Sequence, residues 1–117
     1  MSQNMFLFAD ALGPLKIIHV HEPSVDLKAV LVIDNVAKGP SIGGVRMAED
    51  VSTEECFRLA RAMTLKNAAA DLPHGGGKIV IYGDPRMPKE KKMQKLRTLA
   101  SGEASKHKDQ LYKALEL

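Results

Sequence analysis

The chain has 117 residues, 44% hydrophobic and 26% charged, with 17 Lys/Arg against 14 Asp/Glu for a net charge of +3. That is enough for one domain with its own core, too little for two full domains and a linker, and too apolar for a disordered segment. No apolar run nears the roughly 18 residues of a membrane span, and MSQNMFLFADALG has no basic stretch before its short apolar one, so no membrane partner and no signal peptide are expected and the chain is placed in the cytoplasm.

In chain order, LKIIHVHEP from Lys16 alternates as a strand closed by Pro23, and LKAVLVIDNV (27–36) is a second, more apolar strand that pairs with it. KGPSIGGVRM (38–47) is a Gly/Pro loop running into a short extended piece. Ser52 and Glu55 form a capping box, and Cys56, Phe57, Leu59, Ala60 and Met63 follow at helical spacing, which predicts a helix from about Thr53 to Ala70 with Met63 in the core. Leu72-Pro73 ends it, three glycines (75–77) turn the chain, and KIVIY (78–82) is a short buried strand. A helix from about Pro88 to Leu99 follows, capped by Gly102, and EASKHKDQLYKALEL (103–117) reads as a last amphipathic helix. Strands and helices alternate, so the class is α/β.

The positive excess lies in the last third, around RMPKEKKMQKLR (86–97). No aromatic side chains are interleaved there to stack on bases, so the stretch reads as a solvated helix face and no nucleic-acid partner is expected. His19 and His21 lie two apart on one strand face beside Glu22, a conceivable metal pair, but no third ligand stands at a recognisable spacing and water-facing side chains of an edge strand are the reading adopted. Cys56 is the single cysteine, which excludes an internal disulfide, and its apolar neighbours make it a buried, inert thiol. His74 is taken as incidental, and Arg46 as a cation for a nearby carboxylate or an interface.

Lys78 behind three glycines is the strongest local signal. Adjacent glycines lose the most chain entropy on folding and persist where the backbone takes an unusual conformation or something must approach it closely. Together with it, LKAVLVIDNVAKGPSIGGVRM, LARAMTLKNAAADLPHGGGK and IVIYGDPR closely resemble the N-terminal, dimerisation domain of the glutamate/leucine/phenylalanine/valine dehydrogenases, most like the leucine branch. The resemblance covers roughly residues 27–86 and loosens from about Met87. It implies a mixed sheet flanked by helices over residues 1–100, with 101–117 a helical tail of unassigned origin.

The resemblance also implies a chemistry. The family deaminates an L-amino acid to a 2-oxo acid and ammonia with NAD or NADP, and its members are oligomers, so at least a homodimer is expected. Lys78 matches the catalytic lysine that assists proton transfer to the attacking water. Lys66 matches the lysine that binds the substrate carboxylate, Gly43 and Gly44 match the loop facing the substrate, and Ile42 stands where the glutamate-specific branch has a lysine. The residue types suit those roles: a cation on a rigid helix binds a carboxylate, and a lysine moves protons near neutral pH only where burial or a second cation lowers its proton affinity.

No D-x-G follows Lys78, and no G-x-G-x-x-G dinucleotide fingerprint occurs in the 117 residues. The expectation is therefore a substrate and oligomerisation domain that lacks its Rossmann partner, binds no cofactor by itself and is inactive alone. A non-catalytic oligomerisation module that keeps the fold is the alternative.

Overall fold

The computed structural model describes residues 5–111. Strands β1 (Lys16–Glu22) and β2 (Leu27–Ile33) form an antiparallel hairpin in which Lys16 faces Ile33 and Glu22 faces Leu27. A 3-10 turn over Pro23–Val25 and a left-handed Asp26 join them, as the paired apolar runs closed by Pro23 predict. β2 is shorter than the expected 27–36, because at Asp34 the chain leaves the sheet with its carboxylate turned to a helix.

Two short strands, β3 (Ser41–Ile42) and β4 (Val45–Ala48), run parallel to β5 (Gly75–Tyr82), whose other edge pairs antiparallel with β2. The order is β1-β2-β5-β3, with β4 continuing beside β5, so β5 is an interior strand of a mixed five-stranded sheet. The expected α/β class is observed. Helix α1 (Thr53–Ala69) covers one face, and α2 (Lys89–Ser101) and α3 (Glu103–Lys106) lie against the other.

The glycine run does not turn the chain. Gly75, Gly76 and Gly77 are the first three residues of β5. They are glycines because their neighbours leave no room: a Cβ on Gly75 would overlap the Asn35 carbonyl, and one on Gly76 would overlap the Ala60 carbonyl and Thr64 amide of α1. The stripe of α1 that meets this strand is correspondingly small and polar at its C-terminal end, Cys56, Ala60, Thr64 and Asn67. Met63, expected in the core, is half-buried on the flank of that stripe.

Local signals account for both ends of α1. The Ser52 hydroxyl accepts from the Glu55 amide at 3.1 Å, and Glu54 and Glu55 sit in the first turn, where the helix dipole favours carboxylates. At the other end Asp71 takes the left-handed conformation (φ 54°), its amide donating to Ala68 O and that of Leu72 to Asn67 O. This pair of bonds closes the helix four residues before Pro73.

The larger core cluster fills the opposite face, with Leu27, Leu31, Ile33, Ile79, Ile81 and Leu99 at its centre. A continuous helix over 103–117 is not observed: α3 stops at Lys106, and Leu111, 5% exposed, joins the core and bridges to Ser41 as a parallel strand pair. Residues 112–117 of that expected helix lie outside the described residues. Within the basic 86–97 stretch, Lys95 is not solvated but 6% exposed, its ammonium donating to the Val25 carbonyl at 3.0 Å and to that of Asp26. It thereby ties α2 to the β1–β2 turn.

Candidate functional site

Lys78 lies opposite Val32 in the β2–β5 register and shares a face with Gly76 and Val80, so its side chain emerges on the α1 side of the sheet. It is half-buried. Its ammonium stands 3.3 Å from the point a Cβ of Gly44 would occupy, and no acceptor among the described residues bonds it. A half-buried cation without a counter-charge is costly unless a ligand supplies one.

The β3–β4 loop beneath that ammonium is built from close backbone contacts. A Cβ on Gly43 would overlap the Gly77 carbonyl, and the Gly44 carbonyl accepts from the Ile79 amide at 3.1 Å. Ile42, half-buried in β3, pairs with Gly76. The structure thus brings Lys78, Gly43 and Gly44 together, with Ile42 at the head of the same loop.

Lys66 is exposed in the last turn of α1. Two ion pairs fix which way its flank faces. Arg61 is bound to Asp34 at the end of β2, whereas Glu55, eleven residues before Lys66 and so only about 20° from it around the helix, is bound at 2.8 Å by Arg46 of β4. The Glu55–Lys66 flank therefore faces the β3–β4 side, where the Lys78 ammonium sits. Arg46, left open between a neighbouring carboxylate and an interface, pairs with Glu55 and with Asp50 at 3.3 Å.

Two supports of this region carry no signal in the sequence. Asp34, fully buried, accepts from Arg61 Nε at 2.8 Å, Arg61 Nη2 at 3.1 Å and Thr64 Oγ1 at 2.7 Å, and Arg61 reaches on to Asp10. The Arg61 guanidinium beside Asp10 pulls that carboxyl down to about 2, and both carboxylates push the guanidinium up. His74, taken as incidental, donates through Nδ1 to the Pro40 carbonyl at 3.1 Å and so joins the lead-in of β5 to that of β3. The spacing of these residues, 10, 34, 61 and 64, fits no short motif.

Cys56 is buried against the sheet, its thiol directed at the Lys78 carbonyl at 3.4 Å and the Val30 carbonyl at 3.6 Å. Burial pushes the thiol up to about 12, outweighing the nearby Lys78 charge that draws it down, so it is no nucleophile at neutral pH. Among the described residues no group of three His, Cys, Asp or Glu could hold a metal ion; His19 bonds Thr53 Oγ1 at 3.0 Å instead. The glycine run does not fit a dinucleotide either. Its backbone is covered by α1, β2 and β3, and the Gly75 amide and Gly76 carbonyl are already paired, with Gly39 O and Asp34 N.

The region thus combines a mixed sheet with one helix above it, a half-buried lysine facing a diglycine loop and a second, exposed lysine on the flank of that helix. Residues 14–108 match the family model for the Glu/Leu/Phe/Val dehydrogenase dimerisation domain, and the chain belongs to that family. It is 40% identical over 93 residues to a leucine dehydrogenase from Bacillus subtilis (strain 168), covering 76% of this chain and 26% of that one. To a phenylalanine dehydrogenase from Thermoactinomyces intermedius it is 38% identical over 91 residues, 74% and 25% of the two chains. Among solved structures it is similar to the L-tryptophan dehydrogenase of Nostoc punctiforme, with a TM-score of 0.73 at 28% identity over 86% of this chain and 30% of that one. It is likewise similar to a hetero-hexameric glutamate dehydrogenase from Thermus thermophilus, with a TM-score of 0.67 at 26% identity over 75% and 23%. The chain spans about a quarter of the length of the curated relatives it matches.

Proposed function

We propose that this chain is the substrate-binding and oligomerisation part of an NAD(P)-dependent L-amino-acid dehydrogenase, acting on an L-amino acid and its 2-oxo acid. The observation that carries the reading is the half-buried Lys78 ammonium, without an acceptor among the described residues and close against Gly44. Lys66 binds the substrate carboxylate from the rigid end of α1, and Gly43 and Gly44 let the substrate lie close to the backbone. Lys78 assists proton transfer at the water that adds to the carbon that becomes the carbonyl. NAD(P), held by another domain, would supply the hydride-accepting chemistry.

Ile42 sets the side-chain preference. A glutamate substrate placed against it would leave its side-chain carboxylate unpaired, at a cost of several kcal/mol, so aliphatic or aromatic amino acids are favoured. Family membership in a dimerisation domain supports a homo-oligomer, and β1, an edge strand of seven residues, offers a pairing edge. The 117-residue protein alone turns over no amino acid. It carries no dinucleotide fingerprint, and leaving two reactants unoriented forfeits about 7–11 kcal/mol of barrier lowering.

Fusion to the Rossmann domain of a leucine dehydrogenase tests this reading. NADH formation from leucine, valine and phenylalanine that outpaces glutamate and is abolished by Lys78→Ala is the expected result. Faster turnover of glutamate would refute the role of Ile42, and a folded fusion without turnover would favour a non-catalytic oligomerisation module. Turnover by the unfused protein would refute its dependence on a second domain.

A further inference from the structure

The face of the sheet that carries α1 is only partly covered by it. Beyond the first residue of that helix a cavity of about 350 Å³ opens on the sheet, floored by Val30, Val51 and Val80. This volume lies in the range that takes a small organic molecule. At its outer edge His21 and Lys28 stand directly opposite each other in the β1–β2 register, beside a half-exposed Tyr82. Neither His21 nor Lys28 has a hydrogen bond or ion pair to any described residue. His19, next along β1 on the same face, is engaged with Thr53.

We infer that this cavity binds a small aliphatic monocarboxylate, its chain on the three valines and its carboxylate between Lys28 and His21. Directly opposed residues of an antiparallel pair have Cβ atoms about 5 Å apart, so a lysine ammonium and an imidazole N–H there can each reach one oxygen of a single carboxylate. A neutral ligand leaves the Lys28 charge unanswered, and a cationic one is repelled by it. The cavity is separate from the Lys78 site: Lys28 is displaced along β2 by about 13 Å from Val32, the residue opposite Lys78. Because Lys28 is exposed and bonds nothing among the described residues, its replacement is expected to leave the fold intact.

The test is a methyl-resolved NMR titration of the 117-residue protein with octanoate, octylamine and acetate. Octanoate is expected to shift the Val30, Val51 and Val80 methyls saturably while octylamine and acetate do not. Lys28→Glu should weaken octanoate about tenfold or more, and Val30→Trp, which fills the cavity, should block it. Four outcomes overturn the proposal: no saturable shift with octanoate, equal shifts with octylamine, shifts centred on Gly43, Gly44 and Lys78, or valine methyls that respond to protein dilution rather than to octanoate, as covering by a second copy requires.

Discussion

Arg61 grips the buried carboxylate of Asp34 through Nε at 2.8 Å and Nη2 at 3.1 Å, and the same guanidinium holds Asp10 through Nη1 at 2.6 Å. Its plane also stands 5.1 Å from the Phe57 ring, on which Phe8 stacks. One side chain thus joins the end of β2, the middle of α1 and the N-terminal segment. Arg61→Ala leaves the buried Asp34 carboxyl with Thr64 as its one side-chain donor among the described residues, and a loss of about 3–5 kcal/mol in urea-unfolding stability is expected. A loss below about 1 kcal/mol would show the pair to be no stronger than a surface contact.

The acid limb of stability has a specific source in Asp10. Its folded value of about 2 lies below its ordinary 3.8, with the hydrogen bond from Arg61 as the largest cause. Ionised Asp10 therefore stabilises the fold fully above its ordinary value, and that contribution is lost as the pH falls through 3.8 toward 2. Urea midpoints recorded down this range should fall more steeply for the wild-type protein than for Asp10→Asn. Parallel curves would mean that Asp10 does not hold the N-terminal segment in solution.

Glycines in the site region separate into two kinds. Gly76→Ala drives a methyl into the α1 backbone at Ala60 and Thr64, which cannot yield, and a loss of about 3 kcal/mol or more is expected. Gly44→Ala meets only the flexible end of Lys78 at 3.3 Å. It should leave thermal stability nearly unchanged while displacing that ammonium. Equal melting temperatures for the two variants would contradict the close packing of α1 on β5.

Much of the fold is legible in the sequence for physical reasons. The β1–β2 pair announces itself by apolar runs around a proline, and α1 by the Ser52–Glu55 capping box and apolar residues at helical spacing, because alternation and capping are local. The glycines of β5 are misread as a turn for an equally physical reason. A strand glycine that admits a helix backbone and a turn glycine that takes a left-handed conformation look alike until the helix is in place. Asp34, Arg61 and Asp10 lie too far apart in the chain to signal their union, and Lys95 looks like its solvated neighbours although it is buried and its ammonium binds two backbone carbonyls of the β1–β2 turn. Lys66, Lys78 and the diglycine loop are recognisable as a set only through family resemblance; by themselves they are two lysines and a loop.

Cys56 offers a direct probe of closure around the sheet. With its thiol buried and raised to about 12, reaction with a thiol reagent at pH 8 should proceed only through opening of α1. Its rate should therefore follow urea-dependent unfolding. Immediate stoichiometric labelling of the native protein would contradict the packing of α1 over Lys78.

The central claim, that Lys66 and Lys78 form an anion-binding site for a 2-oxo acid, is tested most directly by titrating the 117-residue protein with 4-methyl-2-oxopentanoate while following amide shifts. Without the second domain the affinity is expected to be weak, in the millimolar range or about −4 kcal/mol, with shifts centred on Gly43, Gly44 and Lys78. Lys66→Ala should abolish them in a variant that melts as the wild type does. Shifts that spare this loop, or binding that survives Lys66→Ala undiminished, would contradict the account.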